Sequence, residues 1–305
     1  MSAAQNGYAA LGLILHSKSF VQGWRALLTG LYGYQERDGA MRVPGLLGGH
    51  TAVYLPLLNY SDLDLAQAQA LRQRWSGSAY QVRVLDPAVQ TFEPNDTVTM
   101  RLDIAGLTAP QVFEQRIHSK CRNQIRKAEK SGMVWTEGRE GEVVRDFYRV
   151  FASTMHRYGT PVFSRRLFES LPQHVDARFL VAYFEGQPVA GLCLVTDGPI
   201  AWVPWAGSEH AHRGLCPNHL LYWNAIQKAV AGGQQVFDFG RSGYLGPTFV
   251  FKRDWGAQPV RIAILTHRTQ DVYSKYALAS TVWKQLPRRV VNQVGPYLCR
   301  HLPDL

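Results

Sequence analysis

The second half of the chain alternates strand-like and helix-like segments, and this alternation restricts the fold more than any other feature of the sequence. Amphipathic patterning predicts a helix over 142–157, and a second helix begins near Asn218 and ends at the Gly232-Gly233 pair. The other segments have the alternation of strands, over 179–184, 188–197, 200–206, 236–239 and 261–266. Strands interspersed with helices predict α/β packing.

The first half repeats this rhythm more loosely. The patterns predict strands over 9–15, 51–58, 80–85 and 97–102, helices over 21–32, 63–75 and 109–132 with a break, and a turn or loop over 38–48. Two related α/β lobes account for both the rhythm and the 305 residues. We therefore expect a first lobe over 1–108, a second over 109–266, and a basic amphipathic helical tail over 267–305.

Composition narrows the class of partner. The formal net charge of +10 favours anionic partners such as nucleic acid, phosphorylated substrates or anionic lipid, without choosing among them. No secretion signal is evident, and no apolar run approaches the ~20 residues that span a bilayer, so we expect a cytoplasmic protein with peripheral contact at the inner membrane face. The four cysteines form no C-x-x-C pair, which disfavours a compact zinc site.

Several common catalytic motifs are absent from the sequence. It contains no G-x-S-x-G, P-loop, G-x-G-x-x-G or H-E-x-x-H, so serine-hydrolase, NTPase, dinucleotide and zincin functions lack support. His210, His212 and His219 lie close together in the sequence, but their spacing matches no metal-ligand motif. We therefore expect no metal.

The most informative candidate site is the run 237–243 followed by 251–256. A short apolar strand ends there in polar groups and a glycine-rich turn, which places charge at the rim of a sheet, where ligands collect. The alternative is structural: a buried ion pair between Asp238 and Arg241, with Phe251 and Trp255 in the core and Lys252 at the surface.

Four further segments carry candidate residues. In the basic segment 118–130, Arg122, Arg126 and Lys130 share one helix face, which suits either phosphate or RNA contact or a solvated surface. The loop 158–163 and the strand end 57–62 offer pocket residues, although loop packing and turn chemistry account for both segments without a ligand. The segment 210–219 precedes a helix whose positive end favours an anion, and Asn218 there suits an N-cap.

Taken in order, these segments resemble the FemABX-like aminoacyltransferases of the GNAT superfamily, and in particular the FemAB-like proteins encoded beside exosortase and exopolysaccharide genes. The resemblance covers roughly residues 50–300, and the first ~50 residues match poorly. It rests on segments 55–60, 119–128, 159–163, 218–223, 237–242, 251–256 and 283–296.

The resemblance implies two GNAT-like lobes, each a mixed sheet flanked by helices, with a cleft between them. It implies transfer of an aminoacyl group from aminoacyl-tRNA, or of an acyl group from acyl-CoA, to an amine of an anionic cell-envelope or exopolysaccharide precursor. These donors act as co-substrates, and no tightly bound cofactor is implied.

It also suggests roles for residues. Lys252 would stabilise the oxyanion or hold the terminal phosphate of the donor. The family shows no agreed base, and the residue chemistry makes Asp238 the candidate. Residues expected to contact the substrates are Arg241, Ser242, Phe251, Asn218, Tyr222, Asn59, Tyr60 and Thr160, and those expected to guide a polyanionic donor are Arg122, Arg126 and Lys127.

Two other functions stay open at the level of sequence. One is an acyl-CoA-dependent N-acetyltransferase that acts on a small molecule, and the other is a non-catalytic RNA- or membrane-binding protein. The basic segment 271–305 suits a membrane surface, and packing on the first lobe explains it equally well.

Overall fold

The computed structural model describes residues 14–46, 48–75, 79–267 and 280–302. The described residues contain eleven strands, which hydrogen-bond into one mixed sheet in the order β1-β2-β3-β4-β11-β5-β10-β9-β8-β7-β6. The strands are β1 (Gln35–Arg37), β2 (Ala40–Pro44), β3 (His50–Val53), β4 (Tyr80–Asp86), β5 (Thr97–Asp103), β6 (Val134–Gly138), β7 (Asp176–Phe184), β8 (Gln187–Asp197), β9 (Ile200–Ser208), β10 (Val236–Gly243) and β11 (Gln258–Thr266).

Helices flank this sheet. They are α1 (Lys18–Tyr32), α2 (Leu65–Arg74), α3 (Ala109–Gln115), α4 (Ser119–Glu129), α5 (Glu142–Tyr158), α6 (Arg165–His174), α7 (Pro217–Ala231), α8 (Pro247–Arg253) and α9 (Arg288–His301), with a 3₁₀ turn over His210–Leu215. The architecture confirms the expected α/β class. No helix in the described ranges is long and apolar enough to cross a membrane.

Both faces of the sheet are covered by helices around β7 to β9. Phe179 and Val181 lie in an apolar cluster with α1, α5 and α6, whereas Leu180 and Ala182 lie in a second cluster with α4 and α7. Successive strand residues point to opposite faces, so a strand covered on both sides is apolar at every position. This explains the near-continuous apolar runs in the second half of the sequence.

The two halves of the chain meet in the middle of the sheet. β5 pairs antiparallel with β10 on one side and with β11 on the other, and β11 also pairs with β4. The last described strand therefore lies among strands of the first half. The proposed boundaries at 108 and 266 stay predictions.

Several local predictions need correction. The segment predicted as loop over 38–48 contains β2, and the strand predicted over 51–58 ends at Val53 because Leu55 and Leu57 take left-handed φ angles of 54° and 66°. Helices α6 and α8 were not predicted. The strand predicted over 9–15 lies outside the described residues except for its last two, which are irregular.

The described part of the C-terminal segment packs on the rest of the protein. Tyr34 donates its hydroxyl hydrogen bond to the carbonyl of Arg300 at 2.6 Å, and one face of α9 buries Val291 and Cys299. Val290, Val294 and Tyr297 of α9 remain exposed. Packing on the first half is thus present, and membrane contact stays a prediction.

Candidate active site

Strands β9 and β10 separate after a short parallel contact, and this opening is the core of the candidate site. Their pairing covers only Val236 to Asp238 against Ile200 to Trp202, although both strands continue beyond it. On its other side, β10 has a register irregularity against β5 between Asp238 and Arg241. Past the last paired residues, the inner edges of β9 and β10 make no ladder hydrogen bonds to each other. Such a gap between the carboxyl ends of parallel strands is a common location for ligands.

Asp238 anchors this opening from within. Its side chain has no solvent exposure, and its Oδ1 accepts hydrogen bonds from the hydroxyl of Thr99 (2.6 Å) and the backbone N–H of Gly240 (2.7 Å). Its Oδ2 accepts from the hydroxyl of Tyr60 (2.8 Å) and Nε of Arg101 (3.0 Å). Both oxygens are therefore occupied, and the carboxylate joins three segments: the loop that holds Tyr60, strand β5 and the end of β10.

The ion-pair partner of Asp238 is Arg101, which corrects the Asp238–Arg241 pair considered from the sequence. Asp238 and Arg101 are directly opposite in the antiparallel β5–β10 register, so their side chains lie on the same face of the sheet. After the irregularity Arg241 lies opposite Thr99, and no ion pair joins it to Asp238 among the described residues. The guanidinium of Arg101 also lies over the Tyr60 ring, 4.9 Å from its centroid.

Gly240 is required by close approach of the backbone. Its φ is 78°, and a Cβ at this position would lie 3.0 Å from the carbonyl oxygen of Val203 and 3.2 Å from Nδ2 of Asn59. Only glycine combines this conformation with so little space. Asn59 therefore lies at the strand opening, as the sequence suggested, next to the buried Tyr60.

Lys252 lies beneath the same strand end, where α8 places it. Its side chain is buried, with 7% of the residue exposed, and Nζ donates to the carbonyl oxygens of Gly240 (2.9 Å) and Arg241 (2.7 Å). Burial lowers the pKa of Lys252 to about 7, an effect that the negative charge of Asp238 opposes and the positive charge of Arg241 reinforces. The alternative that Lys252 lies at the surface is wrong, whereas Arg253 is exposed.

Unpaired polar groups also collect at the opening. Within the described ranges, Nε1 of Trp202 and Oγ of Ser242 are buried and find no hydrogen-bond partner, and the guanidinium of Arg241 forms no ion pair. Buried polar atoms are normally hydrogen-bonded, so unpaired donors next to an opening indicate a site for a polar ligand. The backbone carbonyl of Arg241 accepts from Lys252, and Ser242 is the next residue of β10.

A cavity of about 290 Å³ opens on the α4 and α7 side of the sheet, and Phe251 borders it together with Lys120, His219 and Asp254. The Phe251 ring lies 5.3 Å from that of His219 and 5.5 Å from that of Tyr222. Tyr222 itself is buried and stacked on Phe239, which makes it a wall of the aromatic cluster rather than an exposed contact.

The entrance to α7 differs from the prediction. Cys216, with a φ of 60°, occupies the N-cap position, so Asn218 is not the N-cap, and its Nδ2 instead donates to Oγ of Ser208 at 3.2 Å. Thr160 lies at the C-terminal end of α5, where its backbone N–H bonds to the carbonyl of Met155. His210 and His219 border different cavities, and no group of metal-ligating side chains occurs among the described residues.

Part of the chain that forms this geometry matches a known family. Residues 115–253 match the family described as acetyltransferase (GNAT) domain. The chain contains a GNAT-type acetyltransferase domain. The match runs from the end of α3 to the last residue of α8, so it includes the strand opening and Lys252. It supports acyl transfer as the class of reaction. No curated protein matches the sequence.

Solved structures support the same fold. FemX superposes with a TM-score of 0.58 at 13% identity, covering 92% of this chain and 99% of its own. A conserved protein of unknown function from Bacteroides thetaiotaomicron gives 0.51 at 11% identity, with 87% and 97% covered. L-PGS from Bacillus licheniformis gives 0.49 at 12% identity, with 87% and 97% covered. Because the identities are this low, the similarities to FemX and to the Bacteroides thetaiotaomicron protein establish the fold and say nothing about activity.

The basic segment at the start of the GNAT domain is partly neutralised. Arg122 donates to the carbonyl oxygen of Glu114 at 2.9 Å and so closes the end of α3, and both Arg122 and Arg126 lie within 4 Å of the Glu114 carboxylate. Lys127 is exposed. Burial raises the pKa of Cys216 at the start of α7, and the positive charge of Lys127 opposes that rise. Lys127 therefore adds positive charge near the amino end of α7 and makes no ion pair within the described ranges.

Sequence reasoning missed the residues that hold the site from a distance. Thr99 and Arg101 come from β5, and Trp202 from β9; none of them belongs to a recognisable motif. The sequence gives no signal for Arg101, because β5 alternates polar and apolar residues and Arg101 occupies one of the polar positions, as on a strand with one solvated face.

Proposed function

We propose that this protein is an N-acyltransferase that moves an aminoacyl group from aminoacyl-tRNA, or an acyl group from acyl-CoA, to an amine of a cell-envelope or exopolysaccharide precursor. The observation that carries the proposal is the buried amine of Lys252, with its pKa of about 7, under the opening between β9 and β10. The GNAT domain match and the fold shared with FemX support it.

Lys252 is suited to proton transfer. An amine that attacks a carbonyl must lose a proton, and a general base works best when its pKa is near the working pH. With a pKa of about 7, about half of the Lys252 side chains are neutral at pH 7 and can accept this proton. Arg241, whose charge helps to lower that pKa, would bind the carboxylate or phosphate of the acceptor.

The tetrahedral intermediate needs donors for its oxyanion. Nε1 of Trp202 is a buried donor that lacks a protein partner among the described residues and lies beside Gly240, and a preorganised donor of this kind stabilises an oxyanion strongly. Asp238 has both oxygens occupied and no exposure, so in this proposal it positions Gly240 and Tyr60 instead of acting as the base.

The donor would occupy the cavity beside Phe251. An aromatic ring at its wall suits stacking of a base, which both tRNA and coenzyme A carry, and the amino end of α7 with Lys127 nearby suits their phosphates. A specific observation favours the acyl-CoA alternative, namely that the matched family is described as acetyltransferase.

In the test, the purified protein receives either labelled aminoacyl-tRNA or labelled acetyl-CoA as the donor. A cell extract supplies the acceptor. We expect turnover that rises with pH through about 7 in the wild type and falls at least about a hundredfold in Lys252→Met. Arg241→Ala should raise the KM for the acceptor, whereas Arg253→Ala, an exposed arginine of the same helix as Lys252, should behave as the wild type.

Each outcome decides between the candidates. Turnover with acetyl-CoA alone removes aminoacyl-tRNA as the donor. Salt-sensitive RNA binding without turnover of either donor favours the non-catalytic binding protein over any acyltransferase. Full activity in Lys252→Met excludes Lys252 from the chemistry.

A further inference from the structure

The side-chain amide of Asn59 forms no hydrogen bond among the described residues, and Asn59 is partly exposed. The other polar side chains nearby in the same segment are in use, because the hydroxyls of Tyr54, Tyr60 and Ser61 each take part in a hydrogen bond. An amide carries two N–H donors and normally finds partners for them. The free amide of Asn59 is therefore available to a ligand.

The backbone on both sides of Asn59 is held in place. The carbonyl oxygen of Leu58 accepts from Nη1 of Arg83 at 3.1 Å, and the backbone N–H of Ser61 donates to the carbonyl oxygen of Arg83 at 2.8 Å. Leu57 takes a left-handed φ of 66°, a conformation that bulky residues rarely adopt and that occurs most often near functional sites. The segment thus holds Asn59 in position before any ligand binds.

The Asn59 amide lies beside a second free donor at the opening between β9 and β10. A Cβ at Gly240 would lie 3.2 Å from Nδ2 of Asn59 and 3.6 Å from Nε1 of Trp202. Nε1 of Trp202 is buried and finds no partner in the part of the chain that the structure describes. Two N–H donors, one from the first half of the chain and one from β9, therefore converge on the same point of β10.

The Trp202 ring is fixed by its aromatic neighbours. Its centroid lies 5.7 Å from that of His16, in an edge-to-face arrangement, and 6.0 Å from that of Trp24. Trp24 in turn donates Nε1 to the carbonyl oxygen of Pro56 at 2.9 Å, in the segment that carries Asn59. Donors that are held in this way need no reorganisation when negative charge develops on a substrate oxygen.

We propose that Asn59 is a catalytic residue whose amide, together with Nε1 of Trp202, binds the carbonyl oxygen of the acyl donor. This inference rests on the proposed function. When the acceptor amine attacks, a C–N bond forms and the π electrons of the carbonyl group move to its oxygen, where both N–H donors stabilise the charge. The proton that the amine loses passes to Lys252.

The same two donors release the oxygen when the intermediate collapses. The carbonyl group forms again, and the bond to the ribose oxygen of tRNA or to the sulfur of coenzyme A breaks. The leaving oxygen or sulfur takes the proton back from Lys252. A contact of this kind acts on the transition state, so its loss should lower kcat and leave the KM of the donor nearly unchanged.

Steady-state kinetics test the inference, with whichever of labelled aminoacyl-tRNA and labelled acetyl-CoA the wild type uses and a fixed amount of cell extract. We expect Asn59→Ala to lower kcat about a hundredfold, since removal of one oxyanion donor costs about 10²–10³ in kcat. Asn59→Asp has the same shape but places a carboxylate beside the oxyanion, so it should lose more than Asn59→Ala. Asn292→Ala, at an exposed asparagine of α9, is the matched control and should keep the wild-type rate.

Two further measurements separate a catalytic role from a structural one. Trp202→Phe keeps the ring and removes the N–H, and the double variant with Asn59→Ala should lose less than the product of the two single losses, because both donors act on one oxygen. Urea unfolding of Asn59→Ala should match the wild type, since its amide has no partner within the described ranges.

The outcomes distinguish this inference from the proposed function. Unchanged kcat in Asn59→Ala overturns the inference, and so does a raised KM with unchanged kcat, which indicates a contact made only in the ground state. A lower urea midpoint in Asn59→Ala assigns the residue a structural role and also overturns it. A wild type that turns over neither donor removes the proposed function and this inference with it, whereas wild-type turnover with an unaffected Asn59→Ala removes the inference alone.

Discussion

The buried amine of Lys252 makes the stability of this protein depend on pH in a way that one substitution should remove. Its pKa is about 7 in the folded protein, against 10.5 for an ordinary lysine. Between these two values the unfolded chain binds more protons than the folded chain, so the free energy of unfolding increases as the pH rises from 7 towards 10.5. Below pH 7 both states are protonated at this residue, and the full penalty of burying the charge remains.

The expected size of the effect follows from the lowered pKa. One pKa unit corresponds to about 1.4 kcal/mol, so raising the pH from 7 to 9 should add about 2 kcal/mol to the free energy of unfolding through Lys252 alone. Lys252→Met keeps a long unbranched side chain and removes the charge. The variant should therefore lack this increase and be more stable than the wild type at pH 7.

Urea unfolding followed by tryptophan fluorescence at pH 7 and pH 9 measures the difference. Contributions from the other titrating groups are common to both proteins and cancel in the comparison. Lys130→Met, which removes an exposed lysine, is the control and should keep the wild-type pH dependence. If Lys252→Met gains the same stability between pH 7 and pH 9 as the wild type, the amine titrates as an ordinary lysine and the reasoning fails.

Two further predictions concern the surroundings of this amine, and a third concerns the basic segment that includes Lys127. Asp238→Asn leaves the Arg101 charge buried without its partner, so urea unfolding should show a loss of about 3–5 kcal/mol, and a loss below about 1 kcal/mol contradicts a buried pair. Gly240→Ala should cost about 1–2 kcal/mol from its φ alone and lower kcat, since the new Cβ approaches the backbone of β9; unchanged kcat removes the steric argument. If the donor is tRNA, Lys127→Ala should reduce the salt dependence of its binding by about one charge, measured by filter binding, while Lys18→Ala leaves it unchanged.

The sequence correctly predicts the elements whose apolar residues recur with the period of a helix or a strand. The helices from Lys18, Glu142 and Pro217 and the three long strands β7 to β9 lie where the patterns predict them, because each buries one or two faces along its whole length. Helix α8 was missed because its seven residues include two phenylalanines and a valine, which favour strands, and its only helical signal is Pro247 in the first turn.

The candidate site could be located from the sequence, but its internal arrangement could not. The polar strand end and the phenylalanine-lysine pair are visible in the order of residues, and in the structure Lys252 donates to the backbone of that strand end. The pairing of Asp238 with Arg101 joins residues far apart in the chain, and only the register of β5 against β10 reveals it. The burial of Lys252 is equally invisible, since lysine is rarely buried and only the packing of α8 under the strand end causes it.

The network around Asp238 makes the proposed acyl-transfer site depend on both halves of the chain. The matched GNAT domain spans 115–253 and supplies Asp238, Gly240 and Lys252, but three of the four hydrogen bonds to the Asp238 carboxylate come from Tyr60, Thr99 and Arg101. Without those donors the carboxylate would be buried with its charge unsatisfied, a state that costs several kcal/mol. The backbone carbonyls of Gly240 and Arg241, which accept from the Lys252 amine, lie just beyond Asp238 in the same strand. The first half of the chain therefore fixes the geometry on which the pKa of Lys252 depends, although it lies outside the matched domain.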